Sequence, residues 1–258
     1  MSALPTQIGA LAQRSITRTA RQPASAIPPL IFPVVLMLLN AGGLHASTEL
    51  PGFPTDSFLA FALAVPFIQG ALFSTMNAGT DLARDIQTGF FSRLSLTPVR
   101  GSALLAGQLA GIVTLGVLQA IFYILAGLIL GVRFASGPAG VALLLVYAAL
   151  VALGFGALGS FLALRTGSGE SIQGLFPALF VFLFISSMNT PRNLIAVDWF
   201  RFLATANPVS YLIECVRSLI ITGWNAEALA LGFGIAFVLA LVSLTAAVWA
   251  LGQRLERT

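Results

Sequence analysis

Side chains that support catalysis are scarce in this sequence. It contains one histidine, His45, one cysteine, Cys215, and no lysine among its 13 basic residues. A single histidine provides neither a zinc site nor a Ser-His-Asp arrangement, and a single cysteine forms no intramolecular disulfide. Without lysine, the chain has no Gly-x-x-x-x-Gly-Lys-Ser/Thr loop for nucleotide phosphates. The sequence therefore predicts a protein that is not an enzyme by itself, and we assign no catalytic and no metal-binding residues.

The composition indicates an integral membrane protein. Hydrophobic residues make up 57% of the 258 positions and charged residues 9%, whereas soluble domains contain about 45–50% apolar and about 25% charged residues. The apolar residues form long blocks without sustained alternation, which favours helices over a β-barrel. The net charge of +4 comes from arginines scattered between these blocks. We therefore attribute it to orientation in a membrane and expect no nucleic-acid partner.

Six apolar runs are near or above the length of about 17–25 residues that a membrane-spanning helix needs. They predict an all-α integral membrane fold in a single transmembrane domain, residues 1–258, with six transmembrane helices. The predicted spans are about 27–44, 57–78, 102–130, 138–164, 172–188 and 228–251. No Asp or Glu lies in the middle of a span, which disfavours a proton-coupled carrier.

The segment before the first span predicts an amphipathic interfacial helix within residues 1–26. Leu4, Ile8 and Leu11 recur at helical spacing, and three arginines follow them. A disordered tail is the alternative. The sequence at 44–47 resembles a signal-peptidase site, but three prolines interrupt the first apolar run and 26 residues precede it. These features favour a retained span over a cleaved signal peptide.

Arginine positions predict the orientation of the chain. With six spans, both termini lie on one side of the membrane. That side holds Arg14, Arg18, Arg21, Arg84, Arg93, Arg100, Arg165, Arg254 and Arg257, and the other side holds Arg133, Arg192, Arg201 and Arg217. Because loops rich in arginine stay in the cytoplasm, we expect both termini and the loop after the second span to be cytoplasmic.

The loop between the second and third spans predicts a short amphipathic helix over residues 81–97. Leu82, Ile86, Phe90 and Leu94 recur every four residues and would share one face. Gly89 suggests a bend or a close approach within the helix, and Thr97-Pro98 ends the pattern. The apolar face would rest either on lipid or on a partner protein.

This loop resembles that of the membrane subunits of type-2 ABC exporters, which include the daunorubicin-type drug-efflux permeases. The resemblance rests on an Arg-Asp-x-x-Thr-Gly-Phe-x-x-Arg-Leu-x-x-Thr-Pro pattern and on a Gly-Gln at 107–108. It implies that 81–97 is a coupling helix that docks into a separate ATPase subunit. The implied coupling residues are Arg84, Asp85, Thr88, Gly89, Phe90, Arg93, Leu94, Thr97 and Pro98. Ser92 and Gln108 depart from the family pattern, in which an acidic residue and a lysine are common.

A second element, near the sixth span, is similar to the Asn-Pro-x-x-Tyr…Arg element of the same family. The resemblance implies re-entrant helices in the extracellular segment 189–224, with gate residues Asn207, Pro208, Tyr211, Glu214 and Arg217. An ordinary exposed loop is the alternative. Tyr211, Glu214 and Arg217 are spaced three apart and would share a helical face, so Glu214 and Arg217 are predicted to pair within the helix.

The resemblance implies the permease subunit of an ATP-driven ABC exporter in the bacterial cytoplasmic membrane. Two copies of a separate ATPase would bind ATP and Mg, with no cofactor on this chain, and a second permease chain, identical or different, would complete the path. The substrate would be hydrophobic or amphiphilic, such as a drug, lipid or glycolipid, and antibiotic resistance would be one outcome. An ATP-independent channel, a secondary carrier or a membrane scaffold is the alternative.

Polar residues within or near the spans are candidates for the substrate path or for a subunit interface. They are Asn40, Gln69, Ser74, Asn77, Gln119 and Gln173. Each could instead form a hydrogen bond between helices of one chain, which is the more common use of a polar side chain in a membrane helix.

Overall fold

The computed structural model describes residues 23–89 and 101–255, together with the isolated positions 9, 13 and 17. The helices are α1 (Pro23–Gly43), α2 (Phe58–Ala62), α3 (Ala64–Gln87), α4 (Gly101–Ile129), α5 (Gly137–Thr166), α6 (Gly169–Phe184), α7 (Asp198–Ala206), α8 (Pro208–Arg217) and α9 (Ala226–Leu255). Short 3-10 turns at His45–Glu49 and Arg192–Leu194, and a π-helical turn at Ser218–Thr222, complete the regular structure. The described residues contain no strand, and the predicted all-α class is confirmed.

Among the described residues, four helical segments are long and apolar enough to cross a membrane. They are Phe58–Gln87, Ala103–Ile129, Gly137–Thr166 and Ala226–Arg254. The apolar parts of α1, Ile27–Gly43, and of α6, Gly169–Phe184, are shorter. Every predicted apolar run therefore overlaps a helix, but length and composition support four spans, and the count of six stays a prediction.

The second span begins as predicted, but it contains a helix break and extends beyond its predicted end. Leu63 separates α2 from α3, because Pro66 has no N–H to offer the carbonyl of Ala62. The helix α3 then continues to Gln87, beyond the predicted end of the span at 78, so residues 81–87 extend α3 and do not begin a separate helix.

Gly89 lies just beyond the C-terminus of α3. Thr88 caps the helix by donating its backbone N–H to the carbonyl of Arg84, and Gly89 adopts a left-handed conformation with φ of 68°. Glycine is the residue that most readily ends a helix in this way. The sequence suggested that Gly89 lies within a helix. The structure places it just after the end of α3 instead.

The helix α5 is the centre of the bundle and packs against α3, α4 and α9. Small residues allow the close contacts. A Cβ atom added to Gly159 would lie 2.1 Å from the carbonyl oxygen of Thr75, and one added to Gly116 would lie 2.4 Å from the Cβ of Ala152. Helices in membranes associate closely through such small residues, because lipid provides no hydrophobic driving force between them.

A buried tyrosine tethers α1 to the bundle. Pro33 has no N–H, so the carbonyl of Pro29, four residues earlier, lacks its usual partner in the helix. The hydroxyl of Tyr123 on α4 donates to this carbonyl at 2.5 Å, and the Tyr123 side chain is 1% exposed. The proline that interrupts α1 therefore also creates its polar attachment to α4.

Candidate functional site

The predicted coupling residues that the structure describes lie in the last turn and cap of α3. Arg84 and Thr88 are exposed, whereas Asp85 and Gly89 are partly buried. The hydroxyl of Thr88 donates to the carbonyl of Arg84 at 2.9 Å, which strengthens the end of the helix. The other five predicted residues lie outside the described residues. These are Phe90, Arg93, Leu94, Thr97 and Pro98.

The apolar face of residues 81–87 packs inside the protein. Leu82 is 4% exposed and belongs to a buried cluster with residues of α4, α5 and α9, and Ile86 packs against this cluster. At Leu82 the face therefore contacts the chain's own core, and Ile86 is partly buried against the same core. The last turns of α3 are consequently joined to the bundle, so that a displacement of residue 88 would displace α3.

Gln108 attaches the start of α4 to α3. Its Nε2 donates to the carbonyl of Ala78 at 3.0 Å, in addition to the bond that this carbonyl makes within its own helix. The helix that ends before Gly89 and the helix that begins at Gly101 are therefore hydrogen-bonded to each other. The amide of Gln108 thus forms a neutral contact at this position.

Asn207 connects three helices at the second predicted element. Its Oδ1 accepts from the backbone N–H of Val209 at 2.9 Å, which caps α8, and Pro208 occupies the first turn. Its Nδ2 donates to the carbonyls of Phe182 and Ile185 at 2.5 and 2.9 Å, at the end of α6. The Asn-Pro pair thus fixes the junction of α7 and α8 to the end of α6.

The helices α7 and α8 form a short helical hairpin. The hydroxyl of Ser210 donates to the carbonyl of Ala204 at 2.6 Å, and the hydroxyl of Tyr211 donates to the carbonyl of Thr205 at 2.9 Å. The backbone N–H of Ser187 donates to the hydroxyl of Ser210 at 3.1 Å. Two consecutive helices, α7 and α8, therefore occupy residues 198–217 of the segment between α6 and α9, which is not an ordinary loop.

Glu214 pairs with Arg192 and not with Arg217, so the predicted pair within the helix is wrong. Arg192 Nε and Nη2 each donate to a carboxylate oxygen of Glu214 at 2.7 Å, and the guanidinium lies 4.2 Å from the centre of the Tyr211 ring. Burial acts to lower the pKa of Arg192, but the hydrogen bond and charge of Glu214 outweigh it and raise that pKa above its usual value. The guanidinium is therefore charged at any physiological pH.

Arg217 instead forms buried hydrogen bonds with three backbone carbonyls. Its Nε, Nη1 and Nη2 donate to the carbonyls of Phe61, Ser187 and Met188 at 3.3, 3.1 and 3.1 Å. Its guanidinium also lies 3.5 Å from the centre of the Phe61 ring, and the residue is 6% exposed. Arg217 thus joins α8 to the helix break at Leu63 and to the turn after α6.

The candidate path residues do not converge on one site. Asn40 Nδ2 donates to Asn189 Oδ1 at 3.4 Å, and the hydroxyl of Ser74 donates to the carbonyl of Gly70 at 3.0 Å and to Gln119 Oε1 at 3.4 Å. The remaining three are Gln173, which is exposed on α6, Asn77, which is partly buried, and Gln69, which is fully buried. The structure therefore brings together Ser74 and Gln119 alone among the six.

Sequence reasoning missed the partners of the second element. Arg192, Ser187 and Ser210 all contribute to the geometry just described, yet Arg192 and Glu214, and likewise Ser187 and Ser210, are far apart in the sequence. Arg192 precedes Glu214 by 22 residues. The one available signal was the requirement that a charge near lipid find an opposite charge, and Arg192 is the basic residue that precedes this helical hairpin.

Comparison with known proteins gives one family. The chain matches the ABC-2 type transporter family over residues 6–221. It is 31% identical over 201 residues to the daunorubicin resistance ABC transporter permease protein DrrB1 of Streptomyces coeruleorubidus, covering 74% of this chain and 65% of that relative. The chain thus spans just under two thirds of that protein's length. It is also 28% identical over 226 residues to a protein of Porphyra purpurea named as the transport permease ycf38, covering 85% of this chain and 76% of that protein.

Proposed function

Because the chain belongs to the ABC-2 type transporter family, we propose that it is the membrane-spanning permease subunit of an ATP-driven exporter. The observation that carries the proposal is the family match over residues 6–221, which includes both sequence elements described above. The similarity to a permease named for daunorubicin resistance supports a hydrophobic or amphiphilic substrate, such as a drug, lipid or glycolipid, and outward transport.

The proposed topology has six spans in the bacterial cytoplasmic membrane, with both termini and the 81–97 segment in the cytoplasm. The helices α1 and α6 would add two spans to the four longer ones. Exposed apolar side chains on both helices support contact with lipid or with a second permease. Examples are Phe32 and Leu39 on α1 and Val181 and Phe182 on α6. The α7–α8 hairpin would then lie at the extracellular side as the re-entrant element, with residues 1–26 as the interfacial helix.

Coupling to ATP would pass through α3. Two copies of a separate ATPase would bind ATP and Mg, and residues 81–97 would dock on them. The support from the structure is mechanical: the end of α3 is bonded to α4 through Gln108 and packed into the core through Leu82. A push on the segment after Gly89 would therefore move a packed helix pair and not a loosely attached loop.

The substrate path would lie between two permease chains, identical or different. A series of phenylalanine rings follows the side of the protein where α1, α3 and α6 meet: Phe32, Phe73, Phe176, Phe180 and Phe184 are in ring contact along it. Such a surface suits a hydrophobic or amphiphilic molecule. Asn40 and Gln173 are the candidate path residues on α1 and α6.

A pull-down from mild detergent tests this function. The tagged native chain should capture a stoichiometric ABC ATPase, and Phe90→Asp should lose it while still reaching the membrane. Phe202→Asp is the matched control, because Phe202 is 71% exposed on the α7–α8 hairpin, and this variant should keep the ATPase. If the native chain at good yield captures no ATPase, the exporter proposal fails and a channel, secondary carrier or scaffold takes its place.

A further inference from the structure

Gln69 on α3 is a fully buried polar side chain without hydrogen bonds. Its exposed fraction is 0%, and neither Oε1 nor Nε2 has a partner among the described residues. Native proteins satisfy the large majority of buried polar side-chain atoms, so that two unsatisfied atoms on one residue require an explanation. The amide has lost its hydrogen bonds to water and has gained none in return.

Other polar side chains on the same helix are satisfied. Thr75, 1% exposed, donates to the carbonyl of Ala71 at 3.3 Å, and Ser74 donates to Gly70 and to Gln119. Gln119 itself, a residue of the same type on α4, accepts the hydrogen bond from Ser74. The orphan amide is therefore a property of the position of Gln69 and not of a bundle that generally leaves polar groups unpaired.

Gln69 lies on the face of α3 that meets α6. Phe73, one turn further along the same helix face, contacts the rings of Phe176 and Phe180 on α6. The helices α3 and α6 pack against each other. Gln69 thus lies one turn from a contact that keeps α6 closed on α3.

We propose that Gln69 is a conformational switch residue whose amide is unpaired in this closed conformation and hydrated in a second, open one. In the open conformation, α6 separates from α3 and admits water. This rests on the proposed transport function. Because the unpaired amide raises the free energy of the closed conformation alone, it shifts the equilibrium toward opening. The closed packing thereby contains a penalty that opening relieves.

The first test compares melting temperatures of the full chain in detergent. Gln69→Met keeps the length of the side chain and removes the unpaired amide, so its Tm should rise by about 2–4 °C. Gln119→Met is the same chemical change at a residue that accepts a hydrogen bond, so its Tm should fall. An unchanged or lower Tm for Gln69→Met, with Gln119→Met lower as expected, would overturn the proposal.

The second test measures access to position 69 in the complex of the chain with its ATPase. Gln69→Cys is treated with a small membrane-permeant maleimide, and the native chain is the blank because its one cysteine, Cys215, is 0% exposed. Labelling at position 69 should increase at least several-fold when ATP and vanadate are added. ATP-driven transport without any such increase overturns this inference alone. A complex without ATP-driven transport overturns the proposed function, and the inference with it.

Discussion

At the scale of single residues, the two arginines near α8 show how burial selects the partner. Arg192 is partly exposed, with 26% of its side chain accessible, and it binds a carboxylate. Arg217 is buried and distributes its charge over three carbonyls and one aromatic ring. Neutral carbonyls provide a guanidinium with hydrogen bonds without the cost of burying a second charge. Replacing Arg217 would leave three carbonyls without this donor.

The Arg192–Glu214 pair gives a prediction at this scale. Glu214→Arg places two like charges together and should lower the Tm, whereas the double variant Arg192→Glu/Glu214→Arg should recover part of the loss. The recovered part should correspond to a coupling of about 1 kcal/mol, because the pair is bidentate and partly shielded from water. Thermal denaturation of the native chain, the single variants Glu214→Arg and Arg192→Glu, and the double variant in one detergent gives the cycle.

The control for this cycle is the pair formed by Asp198 and Arg201. Their side chains are 87% and 47% exposed, so the same charge exchange there should give a coupling near zero. Equal couplings for the two pairs would show that the Glu214 pair does not hold the turn at 192–194 against α8. A loss for the double variant that exceeds the sum of the single losses would give the same conclusion.

The failure to predict this pair has a physical cause. Spacing along a helix ranks neighbours on that helix, and it therefore selected Arg217 for Glu214. The actual partner comes from a turn that only the packing of α6 against α8 brings close. Likewise, no local pattern indicates that Gln69 is unpaired while Ser74 and Gln119 are paired, since that difference depends on which helices surround each face.

At the scale of the elements, the apolar runs predicted the positions of the long helices well, because hydrophobic length decides them. Their ends were less predictable. The apolar run stops near residue 78, but α3 continues to Gln87, since Leu82 and Ile86 still find a core to pack against. Pro66 causes the helix break at Leu63, and the position of this proline in the sequence was sufficient to predict the break. In contrast, the helix end at Phe184 depends on Asn207, whose side-chain amide donates to the carbonyls of Phe182 and Ile185.

Gly89 provides the prediction for the end of α3. With φ of 68°, Gly89→Ala forces a side chain into the left-handed region, at a cost of about 1–2 kcal/mol. The chain after α3 should therefore leave in a different direction, and ATP-dependent transport should fall more than expression does. Transport in membrane vesicles, normalised to the amount of permease, measures the effect.

Gly234→Ala is the matched control. Gly234 lies within α9 and is exposed, and an added Cβ would meet nothing within 4 Å. Alanine is the better helix former there, so this variant should be as stable as the native chain or slightly more stable. Normal transport by Gly89→Ala would show that the direction in which the chain leaves α3 does not matter for coupling.

At the scale of the whole molecule, the side on which each loop lies distinguishes six spans from four. If α1 and α6 both cross the membrane, the end of α3 and the α7–α8 hairpin lie on opposite sides. If only the four longer segments cross, α4 and α5 return the chain, and both loops lie on the same side. Arginine counting favours the first arrangement, because it places nine arginines on the side of the termini and four on the other.

Cysteine labelling in intact cells decides between these arrangements. Gln87→Cys and Phe202→Cys both place a thiol at an exposed position, and the buried Cys215 leaves the native chain as an unlabelled blank. A membrane-impermeant maleimide should label the variant at 202 before lysis and the variant at 87 only after it. Labelling of both positions, or of neither, before lysis would place them on one side of the membrane. In that case α6 would not cross, and the α7–α8 hairpin would lie beside the end of α3, at the side where an ATPase would dock.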